Sequence, residues 1–247
     1  MKVLTAASIK GGVGKTATAV NLAAEATRDG VRVLLWDLDP QGSATYLLRA
    51  EHHLSRGGAR GLVGAGGELA PHVRATSVPG LHVLPSDLSL RYLDRHLDDV
   101  GRPRRRLGAL LPPLEDAYDL VVLDCPPGAS LGIESALRAT DVLLVPVVPT
   151  TLAMLTLTQL EEVVAARRRR PRFLAHVSML DRRKKLQRDT AASLAEREDV
   201  LTTMIPNTTV VERMGPERAP VRSFAPRSAA TAAYEQLWRE LTPLLWR

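Results

Sequence analysis

The chain has 247 residues, enough for one α/β domain with a sizeable core, and nothing in it demands a second. Hydrophobic residues make up 45% but aromatics only 4%, so the core must come from Val, Leu and Ala, and the single cysteine, Cys125, excludes an internal disulfide or a Cys-cluster metal site. The net charge of +6 is uneven: from Arg167 to Arg188 ten basic residues face one acid, Asp181, leaving −3 elsewhere, a concentration that suits a polyanion-binding surface.

Residues 3–8 (VLTAAS) read as a short buried strand, and residues 17–28 repeat Val20, Leu22, Ala23 and Ala26 at helical spacing until Asp29-Gly30 stops them. Between them lies Ser8-Ile9-Lys10-Gly11-Gly12-Val13-Gly14-Lys15-Thr16. Three glycines let the backbone turn several N–H groups inward, and the following helix adds the positive end of its dipole, so an anion belongs there. Lys15 is placed to reach the β- and γ-phosphates of a nucleotide, and the Thr16 hydroxyl to ligate the accompanying Mg²⁺. The strict pattern G-x-x-x-x-G-K-[ST] fails, because Ile9 stands where its first glycine would, and a second lysine, Lys10, precedes Lys15 by five residues.

A second strand is expected over 31–36, ending in Asp37-Leu38-Asp39-Pro40-Gln41-Gly42. Alternation puts Asp37 and Asp39 on one face at a strand end, where open parallel sheets bind ligands. Residues 51–78 are rich in glycine and scattered charge, and read as loop with one short helix; the adjacent His52 and His53 cannot easily converge on one ion and read as solvated loop. A third strand follows at 81–85, then a helical pattern over 88–114 broken near Gly101 and Pro103, where Arg102, Arg104, Arg105 and Arg106 read as an exposed helix start.

Residues 118–124 (YDLVVLD) form an apolar run closed by an acid, the Walker B form, which makes Asp124 a second anchor for Mg²⁺ beside Thr16. Cys125 is expected as a small packed residue rather than a nucleophile. A buried strand at 142–149 leads through Thr150-Thr151 into a helix carrying Leu152, Leu155, Leu157 and Leu160. The basic residues then bracket a strand at 173–180: Arg167, Arg168, Arg169, Arg170 and Arg172 before it, Arg182, Arg183, Lys184, Lys185 and Arg188 after it. They are candidates for a DNA surface, facing together if the second group continues into a helix from about Lys184; a merely solvated face is the alternative. A short strand at 201–205 precedes Pro206-Asn207, and residues 211–227 read as a loop. The last helix, 228–245, carries Tyr234, Leu237, Trp238 and Leu241, with Trp246 beyond it, and is expected to pack on the sheet rather than form an amphipathic membrane tail; Pro243 interrupts it.

Lys10-Gly11-Gly12-Val13-Gly14-Lys15-Thr16 resembles the deviant Walker A box of the ParA/MinD family of P-loop ATPases, and nearly the whole chain follows that family. The segments DLDPQG, Asp124-Cys125-Pro126-Pro127, Ile205-Pro206-Asn207 and Ala225-Pro226-Arg227-Ser228 are similar to its further motifs. The resemblance implies a doubly wound, mainly parallel α/β sheet flanked by helices in one domain over residues 1–247, with ATP and Mg²⁺ as cofactors. Carried over residue by residue, it implies nucleotide contacts from Lys10 through Gly11, Gly12, Val13, Gly14, Lys15 and Thr16 to Ala17, with Pro206 and Asn207 near the adenine. Thr16, Asp37 and Asp124 would lie in the metal shell. Catalysis would fall to Lys15, to Asp39 orienting the attacking water, and to Lys10 reaching the nucleotide of a second subunit. It further implies an ATP-dependent homodimer that binds DNA non-specifically, segregates plasmid, chromosome or other cargo, and answers to a ParB-like or other ATPase-stimulating partner. The expected location is cytoplasmic, nucleoid-associated with ATP bound and without stable membrane association. A MinD-like membrane-cycling regulator and a small-molecule ligase of related fold are the other readings.

Overall fold

The computed structural model describes residues 1–54, 57–167 and 169–246; Arg168, a candidate DNA contact, lies outside them. Its strands are β1 (Lys2–Ala6), β2 (Val33–Asp37), β3 (Arg74–Ala75), β4 (Leu81–Leu84), β5 (Leu120–Asp124), β6 (Val142–Val147), β7 (Arg172–Leu180) and β8 (Val200–Pro206). They form one sheet in the order β3-β4-β2-β5-β1-β6-β7-β8. All neighbours pair in parallel except the short edge strand β3, which runs antiparallel to β4. β1 lies centrally between β5 and β6, so the loop leaving it opens into the crevice where such sheets hold ligands.

The helices are α1 (Lys15–Arg28), α2 (Ser43–Leu47), α3 (Gly58–Val63), α4 (Leu93–Asp98), α5 (Arg106–Ala109), α6 (Leu131–Ala139), α7 (Ala153–Ala165) and α8 (Lys185–Ala195), then α9 (Thr209–Glu212), α10 (Met214–Glu217), α11 (Val221–Phe224) and α12 (Ala229–Leu245). Strand alternation sends successive side chains to opposite faces, and two cores result. Val3, Leu34, Trp36, Val121 and Leu123 join Leu137 of α6, Leu157 of α7 and Leu194 of α8 on one face. Leu4, Val33, Leu35, Leu120 and Val122 join Val20 of α1 and Leu237 of α12 on the other. The expected doubly wound, mainly parallel architecture is therefore present.

Several local expectations are corrected. The helical stretch 88–114 does break near Gly101 and Pro103, but it is more fragmented than expected: α4 and α5 are accompanied by 3-10 turns at Leu88–Tyr92, Pro103–Arg105 and Pro112–Leu114, because Pro112-Pro113 adds a further break in the backbone ladder. Residues 211–227 are not a plain loop but carry most of the short helices α9, α10 and α11. The proline in the last helix does not end it: Pro243 sits in the final turns, and α12 continues to Leu245. Ser228 caps α12, accepting from Thr231 N–H at 3.1 Å. Its Tyr234, Leu237, Trp238, Leu241 and Leu245 are buried at spacings of three and four, against α1 and β8. Among the described residues no helix is long and apolar enough to cross a membrane.

Candidate functional site: a phosphate-binding cleft at the strand ends

The loop after β1 turns on two glycines in the left-handed region, Gly12 (φ +71°) and Gly14 (φ +89°). Gly14 caps α1, and a Cβ there would meet Ser178 Oγ at 2.8 Å, so both conformation and space demand glycine. Ser8 braces the start of the loop, its hydroxyl accepting from Lys10 N–H at 3.1 Å and donating to the Lys10 carbonyl at 3.0 Å. Lys15 is drawn inward, 7% exposed, its Nζ 3.5 Å from the Lys10 carbonyl. Burial lowers its pKa, and the negative charges of Asp124 and Asp39 partly offset this. Lys10 differs: its side chain is exposed and makes no ion pair among the described residues.

Three carboxylates gather at the neighbouring strand ends, of which Asp124 and Asp39 act on Lys15. Asp124 ends β5 and stands in register with Asp37, the last residue of β2. Both are fully buried. Neither oxygen of Asp124 has a hydrogen-bond partner, and burial, then the charge of Asp37, raise its pKa well above the usual carboxylate range; the Thr16 hydroxyl and Lys15 pull it down only in part. Asp37 is better served: Oδ2 accepts from Thr45 N–H at 2.8 Å and Thr45 Oγ1 at 2.7 Å, and Oδ1 from Asp39 N–H at 3.2 Å. Burial still pushes its pKa up, to about 6. Asp39, half-buried, accepts from Gln41 N–H through Oδ1 at 2.9 Å, while Ser86 Oγ donates to its carbonyl at 2.5 Å.

An orphaned buried carboxylate beside a hydroxyl and an ammonium fits a divalent cation better than any other partner, and Asp124 with Thr16 is that donor pair. Asp37 lies close to it but has its oxygens committed to Thr45 and the Asp39 amide, so its contribution to a metal is charge more than ligation. The thiol of Cys125, buried and raised in pKa by that burial, is a packed residue, as expected.

A cleft of about 890 Å³ opens over this group. Gly11 to Ala17, Asp39, Pro206 and Asn207 line it, so the two motif residues after β8 share the cavity with the loop. It is also lined by residues that sequence reasoning missed, among them Gln41, Tyr46, His52 and Met179. His52 is exposed, as expected of a solvated loop, yet its ring lies at the rim of the cleft, in the space a Cβ on Gly42 (φ +64°) would need, at 2.3 Å. That glycine was the available signal. The basic residues are not brought together: Arg182, Arg183, Lys184, Lys185 and Arg188 follow the end of β7 that faces the cleft, whereas Arg167, Arg169, Arg170 and Arg172 stand at its other end. Arg183 is further tied by both of its terminal contacts, at 2.9 and 3.0 Å, to Asp181, whose carboxyl it holds down at about 2.

A glycine-turned anion loop, a lysine and hydroxyl at a helix start, and a buried strand-end aspartate define a P-loop nucleotide-binding protein. An AAA domain family model matches residues 1–173. The chain is 37% identical to the chromosome-partitioning ATPase Soj of Thermus thermophilus, over 95% of this chain and 93% of that protein. It is 30% identical to the chromosome partitioning protein ParA of Caulobacter vibrioides, over 98% and 94%. Among solved structures it superposes, with a TM-score of 0.81 and 26% identity over 98% of this chain and 94% of the other, on cobyrinic acid a,c-diamide synthase from Mycobacterium smegmatis, crystallised with ADP and magnesium. The chain belongs to the ParA/Soj family of P-loop ATPases.

Proposed function

We propose that the protein is an ATP-driven molecular switch: it binds ATP·Mg²⁺, closes as a homodimer, holds DNA non-specifically in that state and is reset by hydrolysis, in the partition or positioning of a plasmid, chromosome or other cargo. The observation that carries this reading is the contrast between the two loop lysines. Lys15 is buried toward Asp124 and Asp39, where it neutralises phosphate charge within its own subunit. Lys10 is exposed beside the same loop and has no ion pair in its own subunit among the described residues. A γ-phosphate presented by a second copy gives it a partner.

Magnesium, when bound, would neutralise phosphate charge, and Thr16 and Asp124 are the groups that would hold it. The loop N–H groups from Gly11 to Thr16 cradle the phosphates. Gln41 N–H takes Asp39 Oδ1, and Oδ2 has no donor among the described residues, so that oxygen accepts a hydrogen bond from a water in line with the γ-phosphorus. As the water oxygen bonds to phosphorus, the bond to the β–γ bridging oxygen breaks and ADP leaves; Lys15, and Lys10 from the other subunit, stabilise the charge that develops. Pro206 and Asn207 border the same cleft and bound the base. The basic residues after β7 lie on the nucleotide side, so closure doubles the cationic surface offered there. The names of the ParA and Soj relatives support chromosome partition as the setting, and a ParB-like or other partner that stimulates hydrolysis is part of the proposal.

Size-exclusion chromatography and electrophoretic shift on random duplex DNA, each with ATP, ADP and no nucleotide, test the reading together. The expected result is a dimer and an added DNA shift with ATP alone. A chain that stays monomeric with ATP, or whose DNA affinity is the same in all three states, refutes the switch.

A further inference from the structure

β7 divides the basic segment between two poles of the molecule. From Arg172 to Leu180 it runs about 26 Å, at roughly 3.3 Å per residue. The upper group follows its C-terminal end, beside Ser178 and Met179 of the nucleotide cleft. The lower pole, at the N-terminal strand ends, is more than the other half of that segment. It gathers arginines from two further parts of the chain, the turn before α5 and the end of α6.

Several contacts tie these parts into one face. Arg104 pairs with Glu134 of α6, and the guanidinium of Arg167 donates to the Glu134 carbonyl at 3.4 Å. Arg105, Arg138 and Arg169 line one depression of about 470 Å³. The acids of the face are few and mostly engaged. Arg104 takes Glu134, Arg169 lies 3.5 Å from Asp141, and Asp141 also accepts from Val3 N–H at 2.8 Å; Glu115 lines the depression. On the flanks Asp119 is held by Arg32, and Glu161 and Asp199 by Arg197. Arg105, Arg138, Arg170 and Arg172 therefore make no ion pair among the described residues, Arg170 Nε donating only to the Arg167 carbonyl at 3.3 Å, and Arg167 Nε is buried with no hydrogen-bond partner among them.

We propose that this lower pole is a second DNA-binding surface, engaging the phosphate backbone of duplex DNA whatever nucleotide occupies the cleft. Planar guanidinium groups without an ion pair, at Arg105, Arg138, Arg170 and Arg172, match phosphate oxygens. Among the described residues no tyrosine or tryptophan lines the depression, so it offers no platform on which unpaired bases would stack, and the duplex backbone is the fitting partner. Independence from nucleotide follows from distance. About 26 Å of strand separates the poles, some three Debye lengths at physiological salt, so phosphates in the cleft are screened from the lower arginines. The arginines of the turn before α5 carry no function in a reading based on the nucleotide motifs, and here they have one. The inference rests on the proposed DNA binding only in naming the polyanion.

The test is the anisotropy of a labelled random duplex titrated with the full chain over a salt series, with no nucleotide, ADP or ATP·Mg²⁺. The lower variant is Arg105→Gln/Arg170→Gln/Arg172→Gln and the upper variant Arg182→Gln/Lys184→Gln/Lys185→Gln; unchanged ATP affinity and melting temperature show that each is folded. Without nucleotide, the wild type binds with a slope of log affinity against log salt near −3 to −4, from about four phosphate contacts. The lower variant flattens that slope by nearly three and binds at least tenfold more weakly, yet keeps the increment that ATP adds; the upper variant does the reverse. The proposal fails if the wild type shows no nucleotide-free binding, if the lower variant retains it, or if the upper variant abolishes it. Loss of the ATP increment alone in the wild type would refute the switch and leave the lower surface standing.

Discussion

A carboxylate with no exposed surface and no hydrogen bond, as at Asp124, costs on the order of several kcal/mol to ionise while no cation answers it. Asp37 in register beside it adds like charge, so both groups hold protons more tightly in the folded chain than the ordinary carboxylate value of 3.8 allows, Asp37 up to about 6. Between those values the folded state binds more protons than the unfolded one, and stability of the magnesium-free protein falls as pH rises through the window and stays low above it. His176 tilts the curve the other way. Buried and bonded to Thr18 Oγ1 at 3.2 Å, it is pushed down to about 4, and stability is lost as pH falls from 6.5 toward that value. The variant Asp124→Asn leaves His176 unchanged, so its difference from wild type isolates the carboxylate. At neutral pH without magnesium its melting temperature should rise by a few degrees, with a shallower decline from acid to neutral pH, while the thermal shift on adding ATP·Mg²⁺ disappears. A variant less stable than wild type in magnesium-free buffer would show that Asp124 serves the fold and not the ion.

At the level of elements, α12 decides whether the chain has an apolar surface to lend to a membrane. Trp238 is 2% exposed, donates from Nε1 to Asp29 at 2.7 Å and meets Trp246 edge-on at 5.7 Å, while Glu240 accepts from Thr202 and Thr203 of β8. The apolar stripe is thus used internally. Trp238→Ala should cost about 3–5 kcal/mol in urea unfolding, and Trp246→Ala less than about 1. Wild-type protein with ATP should stay in the supernatant of anionic liposomes; pelleting would revive the MinD-like reading. Elements such as α12 and β5 were legible because their signals are local: a three-four spacing of buried residues, and a run of Leu120 to Leu123 closed by an acid. Around residues 51–78 the signal is not local. α3 is held from 43 residues away, Arg106 donating from Nε to the Val63 carbonyl at 2.7 Å, and His52 reaches the cleft only because Gly42 leaves room. The arginines could be counted in the sequence, but their division between two poles depends on the length of β7 and on how α6 packs.

For the whole molecule, the decisive issue is whether one catalytic site spans two chains. Lys10 and Asp39 belong to the same subunit but, in the proposed dimer, to different sites: Asp39 acts on the nucleotide of its own loop and Lys10 on that of the other copy. The variants Lys10→Ala and Asp39→Ala should each lower turnover by about 10²-fold or more, the first as a monomer in ATP and the second as a dimer that retains ATP. Mixed, they complement. In a heterodimer the Lys10→Ala subunit keeps its own Asp39 and receives Lys10 from the Asp39→Ala subunit, so one of the two sites is whole and the other lacks both groups. Each mixed dimer thus carries one whole site, and two-fold symmetry sets its ceiling at half the turnover of a wild-type dimer. If Lys10 served the nucleotide of its own subunit, no pairing could assemble a complete site and the mixture would be as inactive as its parts. The steady-state ATPase rate of the mixture therefore separates a shared site from a self-contained one, without requiring either variant to be active alone.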